Sequence, residues 1–150
     1  MKKIILVMGA LLAFFTASAQ VKVDSGSPSI EMTLKRCLAQ GDQVIMDFVV
    51  ICRMNINDIY FHDPEIYDDE GNFYHGGPPT GGHYNIFVID GVENSYISRL
   101  HLDRDIPRKL RLIVKHVDEY ASSFLLIKMK YEINSTYYTA TIKNLPINRE

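Results

Sequence analysis

Three groups of residues have types and spacing that suit chemistry. Asp68, Asp69 and Glu70 set three carboxyl groups side by side within YDDEGN. Several oxygen ligands together attract Ca²⁺, but a calcium loop spaces its Asp and Asn ligands and closes on a distal bidentate Glu, which this run lacks. A tight turn selects the same residues, Gly for positive φ and Asp or Asn for side-chain bonds to the backbone. The run reads as a hairpin turn. His75 and His83 bracket the loop HGGPPTGG, with Tyr74 and Tyr84 beside them. Structural zinc needs about four ligands, and no H-x-x-x-H or C-x-x-C spacing supplies the others. No metal or other cofactor is therefore expected. Rings with an apolar body and a polar tip beside a Gly/Pro loop suit contact with a partner protein or a sugar. Tyr74, His75, His83 and Tyr84 are accordingly the candidate binding residues.

The third group is nucleophilic. A catalytic Ser or Cys needs a base and an orienting third group. The serines here fall in turns and scattered strand positions, without a G-x-S-x-G elbow. Cys52 ends an apolar row and is expected to be buried and inert, and Cys37 is the more reactive of the two if exposed. Paired carboxylates occur only where turns or surfaces want them. No catalytic residues are assigned, and the chain is read as a non-enzyme.

The elements that must position these residues are strands. Ile30, Met32, Leu34 and Leu38 alternate with Glu31, Thr33, Lys35 and Cys37, with Arg36 breaking the apolar face. Gly41-Asp42 turns the chain into Val44, Met46, Phe48, Val50 and Cys52, whose opposite face is also apolar apart from Asp47; such a strand is central or covered. A two-residue turn there sets Cys37 opposite Met46 and Cys52 opposite Glu31, roughly 20 Å apart along the strand. A disulfide needs Cα atoms within about 7 Å, so both thiols are expected to be free.

Further on, Ile59–His62, Glu65–Tyr67 with Phe73–Tyr74, His83–Ile89, Tyr96–Leu102 and Leu110–Val114 carry strand signals between turns. In the last hairpin Leu125, Ile127, Met129, Tyr131 and Ile133 face one way; Asn134-Ser135 turns the chain, and Tyr138, Ala140 and Ile142 form the returning row. Asn134-Ser135-Thr136 matches a glycosylation acceptor, but the turn is the stronger reading. Seven to nine short strands with turns every 8–12 residues predict an all-β, antiparallel sandwich. The alternative is a small closed barrel whose apolar rows line a cavity and carry an apolar ligand.

The first 19 of the 150 residues predict an export signal: Lys2 and Lys3, an apolar run from Ile4 to Phe15, and Ala17-Ser18-Ala19 before a cut at Gln20. The apolar run is too short to span a membrane. No Cys follows the cut, so a lipid anchor is not expected, and the product is periplasmic or secreted. Gln20–Ser29 is polar and reads as a flexible lead-in, with residues 30–150 as the domain. The net charge of −2 becomes −4 without Lys2 and Lys3. Nucleic-acid and anionic-membrane surfaces need a basic patch, so neither partner is expected.

The strand ending TLKRC, the following VIMDFVV, the YDDEGNFY stretch and TIKNLPI near the end resemble a known group. This is the small exported immunoglobulin-like β-sandwich proteins of bacteria, the family of the mycobacterial immunoprotective extracellular antigen and many envelope proteins. The resemblance covers about residues 30–147, and the acidic turn between two aromatics is its best-marked feature. The signal sequence resembles those of Bacteroidetes. The resemblance implies an immunoglobulin-like sandwich and brings no catalytic residues with it. The expected role is an interaction module for an envelope or extracellular protein or glycan, using the loops at one end, led by residues 75–83.

Overall fold

A computed structural model describes residues 21–55, 58–75, 85–94 and 98–150. Residues 1–20, which carry the export reading, lie outside the described residues. The described residues form thirteen strands in two sheets. In the first sheet β1 (Val21–Val23), β2 (Ile30–Gln40), β3 (Gln43–Cys52), β10 (Arg108–Val114), β7 (Asn85–Ile89) and β8 (Val92–Asn94) stand side by side, each pair antiparallel. The short β13 (Asn148–Arg149) adds a parallel pairing to the end of β2.

The second sheet is built on β11 (Ser123–Ile133). Along one edge it pairs with β12 (Thr136–Pro146). Its other edge is shared by two strands: β5 (Glu65–Asp68) takes the first half and β4 (Asp58–Phe61) the second. Each is extended by one more strand, β6 (Phe73–Tyr74) and β9 (Ser98–His101). β1, β8 and β13 escape a sequence reading because two or three residues cannot display a period-two pattern.

Alternation supplies the core. On β3, Val44, Met46, Phe48, Val50 and Cys52 are all buried, as are Leu110, Leu112 and Val114 on β10 and Ile127, Met129 and Tyr131 on β11. β3 lies between β2 and β10, the central place its second apolar face predicts. Phe61 stands at the join of the sheets, 5.5 Å from Phe87 of the first and 5.7 Å from Tyr131 of the second. Each fully buried side chain of this size contributes about 1.5–3 kcal/mol of transfer free energy. The apolar rows thus pack against one another as an open two-sheet sandwich, and a closed ligand-lined barrel is not the architecture.

Two bulges change the expected facing. Between Leu34 and Arg36 the register of β2 against β3 shifts by one residue. Lys35 and Arg36 both turn outward, Cys37 returns to the core, and Leu38 is only half-buried. Cys37 still opposes Met46, but Cys52 opposes Ile30 rather than Glu31. Both thiols are free and buried, and burial pushes that of Cys37 up to about 12, so it is not the reactive surface thiol considered above. A second shift between Phe124 and Leu126 puts Phe124 in the core and leaves Leu125 exposed. The period-two row containing Leu125 therefore begins at Ile127.

The flexible lead-in is also corrected. Val23, Ser25 and Ser27 are buried. β1 pairs with β2 of the first sheet, and Asp24 O accepts Thr141 N of β12, in the second sheet, at 2.8 Å. The segment therefore ties the sheets together. Tyr131 Oη donates to Ser25 O at 2.6 Å, and Ser25 Oγ to Ile30 O at 2.6 Å. Composition suggested mobility because these residues are polar, but their polarity satisfies backbone groups at the join. Gly26 sits here at φ +72, and a Cβ on it would lie 2.5 Å from Thr139 O. Gly41 has φ +62 but open space around it. Left-handed backbone costs a non-glycine residue about 1–2 kcal/mol, and a backbone clash adds to that. Gly26→Ala is expected to destabilise the domain by about 3 kcal/mol and Gly41→Ala by about 1 kcal/mol, compared by urea unfolding. Equal losses would show that the close approach to β12 carries no strain.

Candidate functional site

The acidic run forms the turn its composition predicts. Asp68 is buried and accepts four hydrogen bonds. Its Oδ1 takes Glu70 N at 3.0 Å and Asn72 N at 2.8 Å; its Oδ2 takes Asn72 Nδ2 at 2.9 Å and Tyr74 Oη at 2.7 Å. Four donors fill the acceptor sites of a carboxylate. Gly71, at φ +87, lets the chain reverse within this cage. Asp69 turns outward to the residues that start β11. Its Oδ1 accepts Ser122 N at 2.9 Å and Ser123 N at 3.2 Å, and its Oδ2 accepts the Ser122 hydroxyl. The turn is thereby pinned to the connection at residues 118–123. A cation here would have to displace these donors. Among the described residues no group of three or more His, Cys, Asp or Glu is placed to hold a metal ion.

Tyr74 is not an exposed contact. It lies on the inner face of β6, is buried, and meets Phe124 edge-on at 6.2 Å. Its hydroxyl donates to Asp68 and accepts Asp118 N at 3.0 Å. Burial pushes that hydroxyl up to about 12. The reason for the correction is alternation: if Phe73 and His75 face outward, the residue between them faces the core. His75 is half-buried and stacks on Phe73 at 4.6 Å. His83 and Tyr84 lie outside the described residues, as does most of the 75–83 loop.

The outer side of this hairpin is the more consequential surface. Tyr67 and Phe73 are register partners across β5 and β6, with rings stacked at 4.4 Å and 17°. His75 continues the stack. Leu126 neighbours Tyr67 on β11, and Lys143 follows on β12. Two residues along, Glu65 pairs with Lys128. Leu125 is 47% exposed, and Tyr120, on the turn bonded to the hairpin, is 76% exposed. Four of the ten exposed large hydrophobic residues described (Tyr67, Phe73, Tyr120 and Leu125) therefore gather on one hairpin and the segment fastened to it. Tyr67, Phe73 and Leu125 were not singled out from sequence. The turn at residues 68–72 carried the signal for the first two, since it makes 67 and 73 cross-strand partners.

No family model matches the chain, and no curated protein matches it. Among solved structures it is similar to the crystal structure of the GAE domain of GGA2p from Saccharomyces cerevisiae. That likeness has 12% identity and a TM-score of 0.42, and covers 87% of this chain and 100% of that one. The described residues form an all-β sandwich of two sheets, whose pairings are antiparallel apart from that of β13 with β2. No described helix is long and apolar enough to cross a membrane.

Two outcomes test the hairpin's anchoring. Tyr74→Phe removes one donor from buried Asp68 and the acceptor of Asp118 N, and is expected to cost about 2 kcal/mol in urea unfolding. Tyr67→Phe, on the exposed side, should change stability by less than about 0.5 kcal/mol. Asp69 is held at about 2, first by the Ser122 hydroxyl and then, against partial desolvation, by the Ser123 and Ser122 amides. A carboxyl depressed in the folded state stabilises above its unfolded value and loses that contribution as pH falls through the folded one. The difference in melting temperature between the wild type and Asp69→Asn should therefore be constant above pH 5 and shrink between about pH 4 and pH 2. A difference independent of pH would refute the anchoring role.

Proposed function

We propose that this chain is an exported, non-catalytic immunoglobulin-like module that binds a protein partner in the periplasm or outside the cell. Its contact surface is the outer face of the β5–β6 hairpin with the start of β11. The observation that carries this reading is that Tyr67, Phe73, Tyr120 and Leu125 are exposed and lie on one hairpin and the segment hydrogen-bonded to it. Isolated apolar residues are ordinary on a protein surface, whereas a contiguous group rimmed by charge marks a contact site. Glu65, Lys128 and Lys143 supply that rim. The stacked Tyr67–Phe73–His75 rings are held before binding, so little side-chain freedom is lost when a partner docks. Two leucines beside the rings favour a protein over a sugar, because aliphatic branches offer a pyranose no flat face. His75 keeps its place among the candidate contacts, and Tyr74 serves beneath them as the anchor.

The export signal supports the compartment, and the polar cages around Asp68 and Asp69 support a structural use of the acidic turn. The mature chain, starting at Gln20, with a photo-crosslinking residue at position 73, is incubated with envelope and culture-medium fractions of the source cells. One protein is expected to be captured, and after purification it should bind the wild type at least about tenfold more tightly than Phe73→Ser or Leu125→Ser. Equal affinity for all three chains, or binding of oligosaccharides alone, would overturn the proposal.

A further inference from the structure

The outer face of the first sheet, opposite to the aromatic hairpin, carries a groove of about 450 Å³. Its floor is the backbone of β3 and β10 at Phe48 and Leu110, with Val49 and Val88 as apolar walls and the bare Gly91 at one end. Phe48 and Leu110 send their side chains to the core, so the floor is fixed by the packing beneath it. The groove falls in the volume range of small-molecule sites.

Its charge is the opposite of the chain's. The protein carries a net −2, yet Lys35, Lys109 and Arg111 line the groove, and Arg36 and Arg108 adjoin it through their ion pairs with its two carboxylates. Five cations thus stand around Asp47 and Asp90; Glu93, beside Val88 on β8, is outside the lining. Asp47 is clamped between two guanidinium groups. Arg111 Nε donates to its Oδ1 at 2.6 Å, and Arg36 Nη2 lies 2.8 Å from its Oδ2. Asp90 is engaged by Arg108 at 2.7 Å. Both acids therefore have cationic partners already, and the arginines are fixed in place with N–H groups to spare.

The bulge between Leu34 and Arg36 is what brings this charge together. Without the extra residue, Lys35 and Arg36 would point to opposite faces; with it, both point outward beside the groove. The groove and the bulge are separate features, and they converge on one place.

We propose that this groove binds a small organic anion with a flat apolar body, such as an aromatic carboxylate or sulfonate. The anionic group would lie among Lys35, Lys109 and Arg111, and the body between Val49 and Val88. This site is independent of the protein-binding reading, since it uses the other sheet.

The test is a fluorescence titration of the mature chain with 8-anilinonaphthalene-1-sulfonate, an aromatic sulfonate, with amide chemical shifts followed in parallel. One saturable site is expected, with shifts concentrated at Val49, Val88 and Gly91. Affinity should fall at least tenfold in Lys109→Glu, an exposed position whose change leaves the fold intact, and in Val88→Asp. It should be unchanged in Phe73→Ser, and the uncharged N-phenyl-1-naphthylamine should bind at least tenfold more weakly. Non-saturable binding, shifts centred on residues 67–75, loss in Phe73→Ser, or indifference to Lys109→Glu would each overturn the proposal.

Discussion

A strand's side chains change sides at every residue, so the two facing apolar layers exist only while each long strand stays in step with its neighbour. That constraint governs the rest of the molecule. β2 runs for 11 residues beside β3, and β11 runs for 11 residues, its first half beside β5. Over such lengths the sequence does not sustain strict alternation. Lys35-Arg36 interrupts one strand and Leu125-Leu126 the other, and a bulge absorbs each interruption. The core then closes with Leu34 and Cys37 on the same side, and with Phe124 and Ile127 on the same side. The residue displaced outward in each case is what gives the outer face its character. It is a lysine beside an arginine on the first sheet and an exposed leucine beside stacked rings on the second. Packing inside and chemistry outside are consequences of the same two local irregularities.

The buried carboxylate of Asp68 meets a related constraint by different means. A charge withdrawn from water is costly unless every lone pair is engaged. Here four donors from three nearby residues, Glu70, Asn72 and Tyr74, meet it at 2.7–3.0 Å. All four depend on the hairpin being closed, and Tyr74 additionally ties the hairpin to Asp118. The polar interior therefore specifies one geometry for a short, otherwise weak pair of strands, since β6 itself has only two residues. The rigidity of the Tyr67–Phe73 stack on the opposite side follows from it. An aromatic pair on a loose hairpin would have to be ordered at the moment of contact.

Legibility in the sequence followed the range of the forces involved. The turn residues announced themselves because their preferences are local: Asn134 and Ser135 both adopt positive φ, and Asp90-Gly91 does the same. The rows Val44–Cys52 and Leu110–Val114 are legible because every second residue of each is buried, although Ile45 between Val44 and Met46 is buried as well. Lys35-Arg36 did break the pattern, and two adjacent polar residues amid alternation are the mark of a bulge. Leu125-Leu126 gave no such mark, since both residues are apolar and only pairing with β5 decides which one is displaced. Composition misses the ordering of residues 21–29 for the same reason. Polar groups of this segment are satisfied by Tyr131 and Thr141, more than a hundred residues away, and composition carries no trace of such partners. The neighbours of Tyr74 in the chain suggest a surface position, whereas the alternation of its own strand places it inside.

The two outer faces are separated by the full thickness of the sandwich, two sheets packed roughly 10 Å apart. Between them lie Phe48, Phe61, Met46 and Tyr131, buried to 1% or less. Such an interior resists deformation, and coupling between distant sites needs an element with two discrete arrangements. The strands beneath the groove, β3 and β10, are paired over seven residues without a register shift, which leaves them no second arrangement of similar energy. Nor do the hairpin and the groove share a strand, since one is held by β5, β6 and β11 and the other by β2, β3, β10 and β7. No shared strand and no shiftable register therefore links the two faces. The sandwich holds the stacked aromatic hairpin and the cationic groove on opposite outer faces.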